Sequence, residues 1–443
     1  MCKRFYFNGF DFDNETGLLK LNYQSEDFGS FCEQVLFPGA PFFLTREKKK
    51  ALDRIFFYAL LAGGISYFKM RPTDTIVIQD RMLNKDEANF FNTFYISGLG
   101  EFAVRNHLNL QQCIRFPIDN NITTEKVVYR FPVSDRVFIP VGGGKDSCVT
   151  TELIKKMSFN PILISVGNPK AIKSCADVAD LPHHVIQRTL DPNLKVLNES
   201  GCVYNGHIPI TGVLAFYLWA YAVLTDTPYV AMSCERSSNE GNMMQDELMI
   251  NHQYSKSLSF ERDFYLLTQS VTPDFSYFSL LRPLSEIHIA RLFSKYCQSY
   301  FNVFTSCNKA FRLDEKKRLT HWCGLCDKCR FVFLILAPFM KRETLIKALG
   351  GNPLNDLSQE TGYRELLGLT GHKPFECVGT PTECRWAFSF LSKNSDWQND
   401  VLVQKLSPDL LKDQKKYSDS DLFSAMGEHQ IPAVFSNVFS LFK

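Results

Sequence analysis

The sequence predicts an α/β protein built on a doubly wound parallel sheet, and three features of the middle of the chain carry this prediction. Apolar segments of strand length alternate with segments of helical length between residues 136 and 233. Three consecutive glycines separate the first strand from the helix that follows it, and a loop rich in polar residues follows the last strand. Strands that alternate with helices are typical of parallel sheets covered by helices.

The elements of this region follow one another regularly. In doubly wound sheets, ligands bind at the carboxyl ends of the strands, near the point where the strand order reverses. If the first and fourth strands are neighbours, the loops 142–147 and 233–242 converge there on one ligand site. The predicted strands are 136–141, 161–166, 184–187 and 229–233, and the predicted helices are 147–157, 169–178 and a long apolar helix that ends at Leu224.

The flanking regions are predicted to form a smaller N-terminal domain and a C-terminal extension. The first contains a helical segment near 51–62 and an aromatic segment over 90–102, and turn-forming residues at 350–353 mark the start of the last. The predicted division is an N-terminal domain over 1–125, a central α/β domain over 126–345 and a C-terminal region over 346–443.

Composition and charge set expectations about partners. The chain has 443 residues, of which 45% are hydrophobic and 22% charged, as is typical of a protein with a sizeable core. The net charge of +2 provides no basic footprint for nucleic acid or a membrane surface. Residues 1–12 contain no apolar signal-peptide core, and the apolar stretch 208–224 is interrupted and too short to span a bilayer. We therefore expect a cytoplasmic protein without nucleic-acid or membrane partners, and no obligate protein partner is evident.

The glycine run has the form of a phosphate-binding loop. Glycines permit a tight turn and the close approach of an anion, and the N-terminus of the following helix offers free N–H groups. The lysine adds positive charge, the aspartate suits Mg²⁺, and the serine suits phosphate or the helix N-terminus. The candidate ATP- and Mg²⁺-binding residues are Gly142, Gly143, Gly144, Lys145, Asp146 and Ser147.

This loop does not fit the two commonest phosphate-binding patterns. Asp146 stands where the Walker pattern requires Ser or Thr, and the Rossmann pattern lacks its last glycine. The pattern that remains, Gly-Gly-x-Asp-Ser, resembles the pyrophosphate loop of the N-type ATP pyrophosphatases, which split ATP between the α and β phosphates. An ordinary glycine-rich turn between a strand and a helix is the alternative interpretation.

Four cysteines form a second candidate site. Cys323, Cys326 and Cys329 are separated by two residues each, and Cys307 precedes them. Thiolates at such spacings can surround zinc tetrahedrally, whereas three closely spaced cysteines also suit an iron–sulfur cluster. Fourteen cysteines without secretory features favour reduced thiols or a metal over disulfides. We expect structural zinc, with an iron–sulfur cluster and unliganded thiols as the alternatives.

Several segments share a pattern with one known family. They occur in the order 141–147, 205–211, 234–242, 251–256, 322–329 and 373–380, and the upstream segment 98–102 also fits. Together they resemble the bacterial MurL family, the UDP-N-acetylmuramoyl-L-alanyl-L-glutamate epimerases, although Cys234 stands where that family is expected to have Asn. The resemblance implies conversion of the terminal L-Glu of UDP-MurNAc-L-Ala-L-Glu to D-Glu in peptidoglycan precursor synthesis. It further implies that ATP and Mg²⁺ are used and that AMP and diphosphate are released.

This resemblance suggests roles for individual residues. A lone histidine is equally well explained as a structural hydrogen-bonding residue, and the sequence leaves open whether one or two bases act. The candidate acids and bases are His207, Glu235 and His252, and the candidate substrate-binding residues are Arg236, Asn242, Lys256 and Glu376.

Other functions remain open at this stage. A different pyrophosphate-loop enzyme, acting on tRNA or a deazaguanine as a thiolase, a lysidine-type synthetase or a nitrile-forming enzyme, shares the loop. A non-catalytic nucleotide sensor would bind ATP without cleaving it. Cys2 suggests another alternative, an N-terminal cysteine nucleophile like that of the glutamine amidotransferases. Those chains begin Cys-Gly, whereas Lys3 follows Cys2 here, so we take Cys2 as incidental.

Overall fold

The chain forms an α/β structure. The computed structural model describes residues 3–79, 81–119, 127–245, 247–312, 315–371, 373–412 and 419–443, so that Cys2 lies outside the described residues. The strands are β1 (Arg4–Asp13), β2 (Leu18–Ser25), β3 (Gly29–Leu36), β4 (Thr75–Ile78), β5 (Arg136–Pro140), β6 (Asn160–Val166), β7 (His183–Thr189), β8 (Tyr229–Met232), β9 (Met243–Gln245), β10 (Leu248–Ile250) and β11 (Ser276–Ser279). The helices are α1 (Arg46–Gly63), α2 (Ile65–Phe68), α3 (Lys85–Gly98), α4 (Gly100–Asn106), α5 (Lys145–Ile154), α6 (Lys170–Ala179), α7 (Pro192–Ser200), α8 (Ile210–Leu224), α9 (Leu258–Gln269), α10 (Glu286–Tyr296), α11 (Asp327–Leu336), α12 (Arg342–Leu349), α13 (Glu360–Leu366), α14 (Pro381–Lys393), α15 (Val401–Lys412), α16 (Asp419–Phe423) and α17 (Val438–Leu441).

Nine strands share one sheet, in the order β11-β8-β5-β6-β7-β3-β2-β1-β4, and β9 pairs with β10 in a separate two-stranded sheet. The first and fourth predicted strands, β5 and β8, are parallel neighbours, as the ligand-site argument requires. Strand β4 is parallel to β1, whereas β1, β2, β3 and β7 pair antiparallel in succession. The prediction of an α/β fold with a large, mostly parallel sheet is therefore confirmed. Its closer assignment to a doubly wound pyrophosphate-loop fold stays a prediction.

The chain divides into two compact units, each built from three segments. The first unit contains Met1–Phe138, His184–Val230 and Gln245–Tyr277. The second contains Ile139–His183, Ala231–Met244 and Phe278–Lys443. The division into three consecutive domains stays a prediction.

Apolar helices form much of the core of the first unit. Helix α8 is buried along nearly its whole length, and its Trp219 stacks on Tyr58 of α1 with ring centroids 6.1 Å apart. The helical stretch Arg46–Phe68 is long and apolar enough to cross a membrane by length and composition, yet 89% of its apolar window is buried. Such burial is what a core helix of a folded unit also shows.

Candidate active site and metal centre

The glycine loop joins β5 to α5 in the second unit. Gly143 has φ +77°, in the left-handed region that favours glycine, and a Cβ there would lie 3.1 Å from the Ala171 backbone. The N–H of Thr305 donates to the Gly143 carbonyl at 2.8 Å and so ties the loop in place. Gly144 precedes α5, and no side chain in the described part of the chain caps this helix. The helix end therefore keeps N–H groups that can bind an anion.

A buried charge network lies beside this loop. The Lys145 ammonium, 3% exposed, pairs with the carboxylates of Asp146 and of Glu286 at the start of α10. Burial raises the pKa of Glu286, Lys145 opposes that shift, and the nearby charges of Asp146, Glu235 and Glu383 reinforce it. One ammonium thus neutralises only part of a carboxylate-rich environment. Such a site has the oxygen ligands and the excess negative charge that Mg²⁺ prefers.

The predicted substrate-binding residues of the second unit form hydrogen bonds between separate loops. Arg236 donates from Nη2 to the carbonyl of Asp421 at 2.9 Å, and Asn242 donates from Nδ2 to the carbonyl of Pro374 at 2.8 Å. Glu376 accepts a hydrogen bond from Asn308. The Ser147 hydroxyl donates to the Gly144 carbonyl at 3.1 Å and so stays within the glycine loop.

Two of the predicted acid–base residues come together in the first unit. His207 and His252 have ring centroids 4.3 Å apart. Glu101, on α4, is hydrogen-bonded to Nδ1 of His252, and its Oε2 lies 3.8 Å from Nδ1 of His207. Because a carboxylate only accepts, Nδ1 of His252 is the donor, and its Nε2 is an acceptor when this imidazole is neutral. Glu235, the third predicted acid–base residue, belongs to the second unit.

Two glycines allow this cluster to form. Gly206 has φ +154°, and a Cβ there would lie 3.2 Å from the ring of Phe102, so its absence lets the segment before His207 approach α4. Gly100, at the start of α4, would place a Cβ 3.4 Å from the side chain of Ile250. Close approach at these two points brings His207 and the segment that carries His252 to the same helix turn as Glu101.

The electrostatic environment keeps one imidazole neutral. Burial lowers the pKa of His207 to about 3, with further lowering from His252, Lys256 and Lys69, whereas Glu101 acts in the opposite direction. Burial favours a higher pKa for Glu101, but the hydrogen bond and charge of His252 and a hydrogen bond from its own helix outweigh it and leave that pKa lowered. At neutral pH, therefore, a neutral imidazole lies beside an ionised carboxylate and two lysines. A neutral imidazole has an unprotonated nitrogen, but a pKa this low makes it a weak base until an anionic ligand beside it raises that pKa.

The sequence missed three functional candidates because each depends on a long-range contact. Glu101 meets His252 across 151 residues of sequence, and Glu286 meets Lys145 across 141. Lys69 reaches Gly206 across 137 residues. Only Glu101 had a usable signal, because it lies in the segment 98–102 that fits the MurL pattern.

The four predicted cysteines come together as a candidate metal centre in the second unit. Their four Sγ atoms all lie within 4.8 Å of one another. The Sγ atom of Cys329 is 3.4 Å from that of Cys326 and 3.6 Å from that of Cys323. A zinc tetrahedron with bonds of ~2.3 Å has edges of about 3.8 Å, so little movement is needed to admit the ion. The cluster is therefore suited to a metal ion, and its assignment as structural zinc stays a prediction.

Comparison with known proteins shows that this α/β chain is similar to a class of epimerases. The MurL N-terminal domain family matches residues 1–280, and the MurL C-terminal domain family matches residues 303–421. A protein of Xanthomonas oryzae pv. oryzae is 37% identical over 423 residues, which cover 95% of this chain and 93% of that protein. A protein of Salinispora tropica is 37% identical over 410 residues, which cover 91% of this chain and 88% of that protein. Both are named UDP-N-acetyl-alpha-D-muramoyl-L-alanyl-L-glutamate epimerase. No solved structure matches the chain significantly.

The chain belongs to the MurL family. The family resemblance stated from the sequence motifs is thus confirmed.

The first prediction concerns the charge of His207. We expect its imidazole to remain neutral from about pH 8 to about pH 5, because burial and the surrounding cations disfavour the imidazolium. Histidine ¹⁵N correlation spectra recorded over this range test the prediction, with H207Q used to assign the signals. Conversion of the His207 signals to the imidazolium pattern within this range would contradict it.

The second prediction concerns the metal centre. We expect the purified protein to be colourless and to contain about one zinc ion per chain, because four thiolates without an open position form a structural zinc site. Cys326→Ser should remove most of the zinc and lower the Tm, whereas the matched change at the exposed Cys202 should leave both unaltered. Mass spectrometry of the metal content decides the matter. Iron with acid-labile sulfide, or a metal-free wild-type protein, would rule zinc out.

Proposed function

We propose that the chain is an ATP-dependent isomerase that inverts the terminal L-Glu of UDP-MurNAc-L-Ala-L-Glu through an acyl-adenylate and releases AMP and diphosphate. The names of the relatives support the substrate and the epimerisation in peptidoglycan precursor synthesis. The observation that carries the proposal is the contact between His207 and His252 beside the Glu101 carboxylate. Proton removal and return at a carbon atom is the chemistry that such a pair supports.

Activation explains why an epimerase would use ATP. Removing the α-proton next to a free carboxylate places a second negative charge beside the first. Conversion of the α-carboxylate to an acyl-adenylate removes that charge and lets the resulting carbanion delocalise into the acyl group. A modest base can then take the proton, and hydrolysis after its return to the opposite face gives the D-product. Only the carboxyl group attached to the α-carbon provides this effect.

The glycine loop of the second unit is assigned to ATP. Its backbone N–H groups and Ser147 bind the β,γ-diphosphate, and Lys145 compensates the charge that develops during cleavage. Asp146 holds Mg²⁺, and Glu286 is a further oxygen ligand because it shares the Lys145 ammonium with Asp146. Lys145 exchanges a carboxylate for a phosphate partner when ATP binds.

The histidine pair of the first unit is assigned to proton transfer. His207 accepts the proton, and Glu101 fixes the tautomer of His252 so that its Nε2 can act with His207. One ligand atom each of Glu101, His207 and His252 also lies within 4.8 Å of the others, an arrangement that can hold a metal ion. Lys69 and Lys256 add positive potential here, which opposes a divalent cation and favours an anionic substrate.

The third prediction tests the overall reaction. With UDP-MurNAc-L-Ala-L-Glu, ATP and Mg²⁺ in heavy water, we expect deuterium at the glutamate α-carbon together with AMP and diphosphate. Mass spectrometry and nucleotide chromatography measure both. Asp146→Ala should abolish AMP formation because its Mg²⁺ ligand is lost. Release of ADP instead of AMP would exclude the pyrophosphatase assignment, and an unchanged rate in the variant would remove Asp146 from the site.

The fourth prediction separates activation from proton transfer. His207→Asn should reduce deuterium incorporation by at least about 100-fold while retaining diphosphate–ATP exchange, because it removes a base but leaves the glycine loop intact. The matched control is His107→Asn, an exposed histidine at the end of α4 whose left-handed backbone Asn tolerates. Equal loss of both activities in a folded His207→Asn protein would argue against a role limited to proton transfer.

A further inference from the structure

Lys69 is a buried cation whose hydrogen-bond partners among the described residues are neutral. It follows α2, is 7% exposed, and donates from Nζ to the Gly206 carbonyl at 2.7 Å and to Asn205 Oδ1 at 3.1 Å. Across the described part of the chain, no carboxylate lies within ion-pair distance of this ammonium. Burial is the sole cause that lowers the pKa of Lys69, to about 8. Buried charges are normally paired, so this one lacks the counter-ion that would offset its desolvation.

The ammonium lies beside the histidine pair. Its acceptor Gly206 directly precedes His207, and its charge contributes to the lowered pKa of His207. An ammonium has three donors, of which two are engaged, and the third is available to a ligand.

The segments that hold Lys69 also border a cavity of about 540 Å³ in the first unit. Met70 and Tyr204, the neighbours of Lys69 and Asn205 in sequence, line the cavity and are joined by a backbone hydrogen bond of 3.0 Å. A ligand in this cavity therefore lies next to the segment that carries Lys69 and the segment that holds its two acceptors.

We propose that Lys69 binds the side-chain carboxylate of the terminal glutamate and makes the enzyme specific for that residue. The inference rests on the proposed function. Adenylation neutralises the α-carboxyl group, so the side-chain carboxylate is the anion that remains next to the reacting carbon. Two methylene groups separate that carboxylate from the α-carbon, which matches an ammonium adjacent to the base His207. The diphosphate of the substrate, by contrast, is separated from the α-carbon by the sugar, its lactyl group and alanine.

Lys69 acts in this proposal as a specificity-determining residue, and its effect should appear in KM and in discrimination. A hydrogen bond between charged groups typically contributes about 1.5–3 kcal/mol, which corresponds to about 10- to 100-fold in affinity. The wild-type enzyme should therefore prefer the glutamate substrate over UDP-MurNAc-L-Ala-L-Gln by that factor.

The experiment measures kcat and KM for both substrates with the full-length wild-type protein, Lys69→Met and Lys69→Arg. We expect Lys69→Met to raise KM for the glutamate substrate about 10- to 100-fold and to bring the Glu/Gln preference close to one. Lys69→Arg, which keeps the charge, should retain part of the preference and tests the proposal if the Met variant does not fold. Lys195→Met, at an exposed lysine on α7, is the matched control and should behave as wild type.

Two results would overturn the proposal, and both differ from failure of the proposed function. A folded Lys69 variant with the wild-type Glu/Gln preference would show that Lys69 does not recognise the side-chain carboxylate. Loss of the Lys69→Met effect when MurNAc-L-Ala-L-Glu replaces the UDP-linked substrate would assign the ammonium to the diphosphate instead. If the wild-type protein formed neither AMP nor deuterated glutamate, the proposed function itself would be wrong.

Discussion

The hydrogen bond between Glu101 and His252 is the interaction on which the candidate site of the first unit depends. It joins α4 to a turn 151 residues further along the chain, and the Glu101 carboxylate also lies close to His207. Without this hydrogen bond, nothing in the contact between the two imidazoles would distinguish one ring from the other. With it, one imidazole has a fixed carboxylate partner, and the other stays neutral because burial and nearby cations lower its pKa.

The two candidate sites have opposite charge imbalances. In the second unit, the carboxylates of Asp146 and Glu286 share the one buried ammonium of Lys145 beside the glycine loop, which is an environment suited to a divalent cation. In the first unit, Lys69 and Lys256 act on a histidine pair beside the Glu101 carboxylate, which also pairs with Arg105, and this excess of positive charge is an environment suited to an anion. MgATP and a glutamate carboxylate are the ligands that correct these two imbalances in the proposed reaction.

The sequence predicted what depends on local pattern and missed what depends on distant contacts. Strand β5, the glycine turn and α5 were predictable because apolar runs and glycines act within a few residues. The N-terminal strands were missed, although Phe5 and Phe7 alternate with polar neighbours in a way that indicates a half-buried strand. His207 and His252 were found by residue type and family pattern. Their contact with Glu101, and the placement of Lys69 beside them, depend on packing between segments that no short motif records.

The spacing of the histidines also limits how inversion can occur. Two bases that act on opposite faces of one carbon must each approach to hydrogen-bond distance, about 3 Å, so their nitrogen atoms lie about 6 Å apart with the carbon between them. The rings of His207 and His252 have centroids only 4.3 Å apart, and a carbon atom does not fit between them. In this arrangement the pair serves one face of the α-carbon as a unit. Return of the proton to the other face then requires either a different donor or a rotation that separates the rings, and Glu101 holds only one of the two in place by a hydrogen bond.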